Sequence, residues 1–207
     1  MRTIVKGEKP QCLINAEKMG WSWDEFVEND HEGYVLCRQQ ADVEQHGMCG
    51  YTEIPLGSGK ITVHFDHFRK KGIYPELRFN WENLFAAVKD HRFGADYKDR
   101  YINGDNEKKV YAGILSPLTE NLQGYFHYAT NGEVEPLIGL SDDDVKKAKV
   151  TIDMFHLNET ELVNRRRTMM MQIDCYKDLP EDVIRSSFEG QGFLSVVEQE
   201  IRLMMVR

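Results

Sequence analysis

Apolar positions recur along this chain with two different periods, and the change of period marks out its elements. Residues 9 to 48 read as two helical pieces. The first turns Trp21, Trp23, Phe26 and Val27 toward a core; the second, GYVLCRQQADVEQHGMCG, spaces Val35, Leu36, Ala41 and Val43 and closes near Gly47, as helices commonly do. From Cys49 the period shortens to two. In GKITVHFDHF the residues Ile61, Val63 and Phe65 alternate with their neighbours, which predicts a strand. Pro75 makes GIYPELRF a loop or an edge. NWENLFAAVKDHRF predicts a helix from near Trp81 toward His91, with a charged linker, INGDNEKK, at 102 to 109. GYFHYA and EVEPLI flank Asn131-Gly132, a strong hairpin signal.

The remainder reads as helical. Ser141 precedes three aspartates, an N-cap with acidic residues in the first turn. Asn158, with Glu161 three residues on, has the spacing of a capping box before LVNRRRTMMMQIDCY. Pro180 suits the first turn of a further helix, which Gly190 and Gly192 separate from FLSVVEQEIRLMMVR. The pattern predicts the α+β class in four stretches: an N-terminal helical region (1–48), a small strand-and-helix core (49–110), a β-hairpin extension (111–140) and a helical C-terminal region (141–207).

Composition narrows the setting. With 207 residues, 41% hydrophobic and 29% charged, the chain can bury one substantial core or two small ones. No apolar run is long enough to span a membrane, and MRTIVKGEKPQC lacks the apolar stretch of a secretory signal. Cys12, Cys37, Cys49 and Cys175 show no CxxC spacing, so free thiols in a reducing cytoplasm are expected. The net charge of −8 argues against a protein that coats nucleic acid by itself. The charge is uneven, however. His64 to Lys109 holds ten basic and eight acidic residues, against sixteen and twenty-six elsewhere. Met169 to Met171 are expected as core filler. Arg165 to Arg167 are expected as a solvated helix face, or as a dock for a partner or phosphates.

HFDHFRKKGIYPELRFNWENLF, residues 64 to 85, carries the candidate chemistry. Hydrolysing a phosphodiester needs a base near neutrality, for which His is suited, and a divalent cation to stabilise growing charge. Hard cations prefer oxygen donors. Asp66 and His67 supply a ligand and a base on consecutive residues. Their side chains leave a strand on opposite faces, so the pair is expected where the strand ends or bends. Asn83 would fix the loop or orient the histidine. His91, about two turns along the predicted helix, would share its face, and Asp96 would help close the cation shell. Arg69, Lys70, Lys71, Arg92 and Lys98 would flank the site and hold phosphates. The plain alternative is an isolated Asp-His dipeptide beside a capped helix start, with Trp81 and Leu84 in the core.

The order of DHF, basic residues, YP, NWENL and a later histidine resembles the ββα-metal, or HNH, nuclease motif. The likeness reaches further. QQADVEQHGMCGYTE resembles a QHGxCxYCE entry segment, YFHYATNGEVEP a hairpin, and KVTIDMFHLNETELVNRRR a helical region of one group: the HNH endonuclease subunit of Septu-type and retron-associated antiphage systems. It covers about residues 35 to 170.

The resemblance implies an α+β fold with a ββα-metal core over 49–110, and a metal-dependent endonuclease cleaving DNA or RNA, tRNA included. His67 matches the general base, Asp66 the preceding metal ligand and Asn83 the middle asparagine. His91 stands for the last position, with Asp90, Asp96 and Asp99 as competitors. Mg2+ or Mn2+ is the expected cofactor. A partner ATPase is the expected partner, in some systems with a retron reverse transcriptase and its RNA–DNA product. Thr52 stands where relatives carry a second cysteine, and AAVKDH has none, so no structural zinc is expected. Tyr51, Phe65, Phe68, Trp81 and Phe85 would then hold the core by packing. The other reading is a catalytically silent HNH-like adaptor that binds the ATPase, docking through Arg165 to Arg167 and the last helix.

Overall fold

In the computed structural model, which describes residues 1–57 and 62–205, the chain is a mixed α+β protein. Three helices rather than two open it: α1 (Gln11–Lys18), α2 (Trp23–Asn29) and α3 (His31–Glu44). The extra break falls at Asp30, which ends α2 and caps α3 by accepting a hydrogen bond from the Gly33 amide at 2.9 Å. Ser22 and Glu25 form a reciprocal capping box that starts α2.

The expected strand forms as β1 (Val63–His67); Ile61 lies outside the described residues. The segment after Asn83 corrects the expected helix. Trp81–Asn83 makes a single tight turn, capped by Asn80, and Leu84–Val88 is a strand, β2, antiparallel to β1 with Asp66 opposite Phe85 and His67 opposite Leu84. Leu84–Val88 is buried at every position, so it shows no alternation. A short, continuous apolar run cannot be told from a buried helix by period alone. Helix α4 (Gly94–Tyr101) follows. The supposed linker already contains the start of α5 (Glu107–Gly113).

The predicted hairpin forms with shorter strands, β3 (Phe126–Tyr128) and β4 (Val134–Pro136). Gly132 is required at its turn. Its φ is +92°, and a Cβ there would sit 2.2 Å from the Val163 carbonyl oxygen. Then come α6 (Asp142–Met154), α7 (Thr160–Asp174), α8 (Glu181–Ser187) and α9 (Leu194–Met205). Ser141 caps α6 as expected, accepting from the Asp144 amide. The cap of α7 is Glu159, not Asn158. Asn158 instead accepts from the amide of Val134 and donates to its carbonyl, clamping β4.

The expected packing residues Tyr51, Phe65, Phe68, Trp81 and Phe85 are all buried. Met169 and Met170 are core, whereas Met171 is exposed. The arginine run is split: Arg165 and Arg167 face solvent, while Arg166 is buried and donates to the carbonyls of Gly132 and Leu157. Helix α9 is also core, through Val196, Val197 and Ile201. At its start Glu53 accepts from the Ser195 amide and hydroxyl, and the Phe193 amide donates to the Glu53 carbonyl. Among the described residues no helix is long and apolar enough to cross a membrane.

Candidate functional site

Asp66 and His67 close β1, and the strand sends their side chains to opposite faces. The histidine ring packs edge-on against Trp23, with centroids 4.7 Å apart, on the side where Phe65 also meets Trp23. Its Nε2 lies 3.0 Å from the Arg78 carbonyl oxygen. A carbonyl only accepts, so Nε2 carries the proton and Nδ1 keeps its lone pair. Burial is the main reason that the His67 pKa falls to about 4, against a smaller upward pull from the Arg78 carbonyl and Asp66. The imidazole is therefore neutral at pH 7.

Asp66 points the other way, into a fully buried cluster. Its Oδ2 accepts from the Tyr51 hydroxyl at 2.5 Å and from the Lys98 ammonium at 2.8 Å. Burial alone would raise the carboxyl pKa, but the charge and hydrogen bond of Lys98, with the Tyr51 hydroxyl, outweigh it and hold Asp66 ionised. Lys98 answers in kind. Burial lowers its pKa, and the carboxylates of Asp66 and Asp99 more than restore it. Its other two protons go to the carbonyls of His67 (3.1 Å) and Phe68 (3.0 Å), so all three are used. Burial, with the like charge of Asp66, lifts Asp99 to about 6 despite Lys98 nearby.

Asn83 braces the loop that leaves the site. Its Oδ1 accepts from the Arg69 amide (2.8 Å), and its Nδ2 donates to the carbonyls of Arg69 (3.0 Å) and Leu77 (3.3 Å). His91 is not on its face. With β2 in place of a helix, His91 falls in an exposed turn, where its carbonyl accepts from Arg100. Among the competing acids, Asp90 is bound to Arg92 and Asp99 flanks Lys98. Asp96 faces β1, 3.6 Å from His64 Nε2, and His64 shares the strand face of Asp66.

The five basic residues do not form one phosphate-binding rim. Lys98 is wholly buried, which removes it from any surface role, because its ammonium has closed on Asp66. Lys70 donates to the carbonyls of Asp99 and Ile102 at the end of α4. Arg92 bridges Asp90 and Glu161, and Lys71 pairs with Asp24. Arg69 lies over the rings of Tyr74 and Tyr111, 5.3 Å from each.

Among the described residues no group of three or more His, Cys, Asp or Glu side chains gathers as a metal shell. Mg2+ and Mn2+ do not need one, since such ions keep several waters and bind through one or two carboxylates with substrate oxygens. Asp66 fits that role. Among the described residues the Tyr51 and Lys98 bonds to its carboxylate both fall on Oδ2, so Oδ1 is the oxygen that could serve as a donor. Sequence reasoning missed the supporting residues. Trp23 and Tyr51 read as ordinary core, and Lys98 as surface.

No family model matches the chain. It is similar to the Septu protein PtuB of Bacillus thuringiensis, at 24% identity over 163 residues, or 76% of this chain. The match spans 55% of that relative, a little over half its length. Over most of its length, then, the chain carrying this strand-end pair of Asp66 and His67 is similar to a Septu protein.

Proposed function

We propose that this chain serves an antiphage defence system of the Septu type as an HNH-like endonuclease, together with a partner ATPase. The similarity to PtuB supports the defence setting. The end of β1 supports the chemistry: a neutral imidazole with one nitrogen pinned, next in sequence to an ionised carboxylate whose Tyr51 and Lys98 bonds both fall on one oxygen. In this reading His67 Nδ1 takes the proton of the attacking water. Asp66 would hold Mg2+ or Mn2+, and the chemistry such an ion would supply is positive charge against the growing negative charge of the phosphate. Asn83 keeps the loop from 69 to 77 closed beneath the base. Asp99, on the same Lys98 ammonium as Asp66, and Asp96, beside His64 on the strand face of Asp66, are the candidates for a second carboxylate.

A second reading, the catalytically silent adaptor, is favoured by one observation: the ion pair that ties Asp66 to Lys98 with no three-donor group among the described residues. One experiment separates the two. The chain, reconstituted with its partner, is given plasmid DNA and structured RNA with Mg2+ or Mn2+. Cleavage that disappears in His67→Ala is the expected result. Cleavage unchanged in His67→Ala overturns the proposed base. A chain that binds its partner and cleaves neither substrate is the adaptor.

A further inference from the structure

The two oxygens of Asp66 are treated unequally. Oδ2 receives two strong donors, one of them charged, while Oδ1 takes neither of these bonds. A lysine ammonium meets a carboxylate through one oxygen; here the Tyr51 hydroxyl falls on that same oxygen. The same Lys98 ammonium also donates to the carbonyls of His67 and Phe68, fixing the backbone just past the carboxylate. Tyr51 is held in turn by stacking on Phe155, with centroids 4.5 Å apart. Neither donor can swing away cheaply: Lys98 has no exposed surface, and Tyr51 is equally buried.

We propose that Lys98 and Tyr51 are positioning residues, which lock Asp66 through Oδ2 and so reserve Oδ1 as its single donor to a divalent cation. This rests on the metal-dependent reading above. Partners of this kind fix the orientation of a ligand, and their loss typically weakens metal binding about 10–100-fold. Tyr51 acts through one hydroxyl only. Lys98 acts through charge, through Oδ2 and through the strand-end carbonyls, so its loss should be the more severe.

The test is Mn2+ binding by the full chain, measured with MnCl2 alone by electron paramagnetic resonance and calorimetry, beside thermal unfolding of every variant. Wild type should bind Mn2+, and Asp66→Asn should abolish it. Tyr51→Phe keeps the ring and should weaken binding roughly tenfold with little loss of fold. Lys98→Met should weaken it further. Gly132→Ala, a strained position remote from the cluster, serves as the control: it should lower the unfolding temperature without changing Mn2+ affinity. Wild-type binding that is absent, or that survives Asp66→Asn, overturns the proposal. So does unchanged affinity in Tyr51→Phe and folded Lys98→Met. Tighter binding in Lys98→Met overturns it too, since the ammonium would then be a competitor of the metal. Asp66-dependent binding without nucleic-acid cleavage sinks the nuclease reading and leaves this one standing.

Discussion

Lys98 Nζ lies 2.8 Å from Asp66 Oδ2, with the lysine wholly and the aspartate almost wholly out of solvent. Removing one partner of such a pair leaves the other charge buried and uncompensated, at a cost of about 3–5 kcal/mol. Lys98→Met should lose stability of that order in urea unfolding. The double variant Lys98→Met with Asp66→Leu should lose much less than the two single losses combined, because both charges leave together. Simple additivity would mean that the pair is not coupled.

His67 makes stability depend on pH with a definite sign. The unfolded chain binds a proton on this residue below about 6.5, whereas the folded chain does so only near 4. Its contribution is full above 6.5 and is lost as pH falls toward 4, a total on the order of 3 kcal/mol. Asp99, lifted to about 6, works in the opposite direction over part of that range. The measurement is therefore the difference between wild type and His67→Gln. That difference should be flat above pH 7 and shrink between 6.5 and 4; a constant difference refutes the buried neutral histidine.

Asn83→Ala removes three hydrogen bonds to the loop and leaves the Arg69 amide without its acceptor. A loss of roughly 2–3 kcal/mol is expected. Hydrogen exchange should show the Arg69 amide losing protection before the β1–β2 ladder does. Asn83→Asp keeps the acceptor but aims a carboxylate at two carbonyl oxygens, so it should not rescue.

Gly132→Ala should lower the melting temperature by roughly 5–10 °C, as 1 kcal/mol corresponds to about 2–4 °C in a chain of this size. Both the positive φ and the 2.2 Å approach to the Val163 carbonyl oppose a Cβ. Gly20→Ala is the matched comparison. It has a φ of +71° with nothing within 4 Å, so it should cost only the conformational part, about 1–2 kcal/mol. Equal effects would show that the contact with α7 is unimportant.

Features set by local chemistry were legible in the sequence. Asn131-Gly132 marked its hairpin, Ser141 its helix start, and the aromatic residues their burial, because a turn or a cap is decided within four residues. Leu84–Val88 was misread for a tertiary reason. Covered on both sides, it lacks the alternation that identifies a strand, and the loss of the helix also separated His91 from Asn83. Asp66, His67 and Asn83 were visible as residue types in order. Lys98 was placed at the site but as a surface phosphate holder, because lysine is so seldom buried that only the fold reveals one facing inward.

The last helix, read from sequence as a docking surface, has a different standing. Its first turn hangs on Glu53, two residues from the Tyr51 whose hydroxyl grips Asp66. Cutting away residues 193 to 207 would take the Ser195 donors from the buried Glu53 carboxylate, which also pairs with the Met1 ammonium, and open the core at Val196 and Val197. Such a truncation would report on the integrity of the whole molecule, not on recruitment. Point changes on exposed Arg202 and Leu203 are the means to probe a partner there without pulling out the keystone.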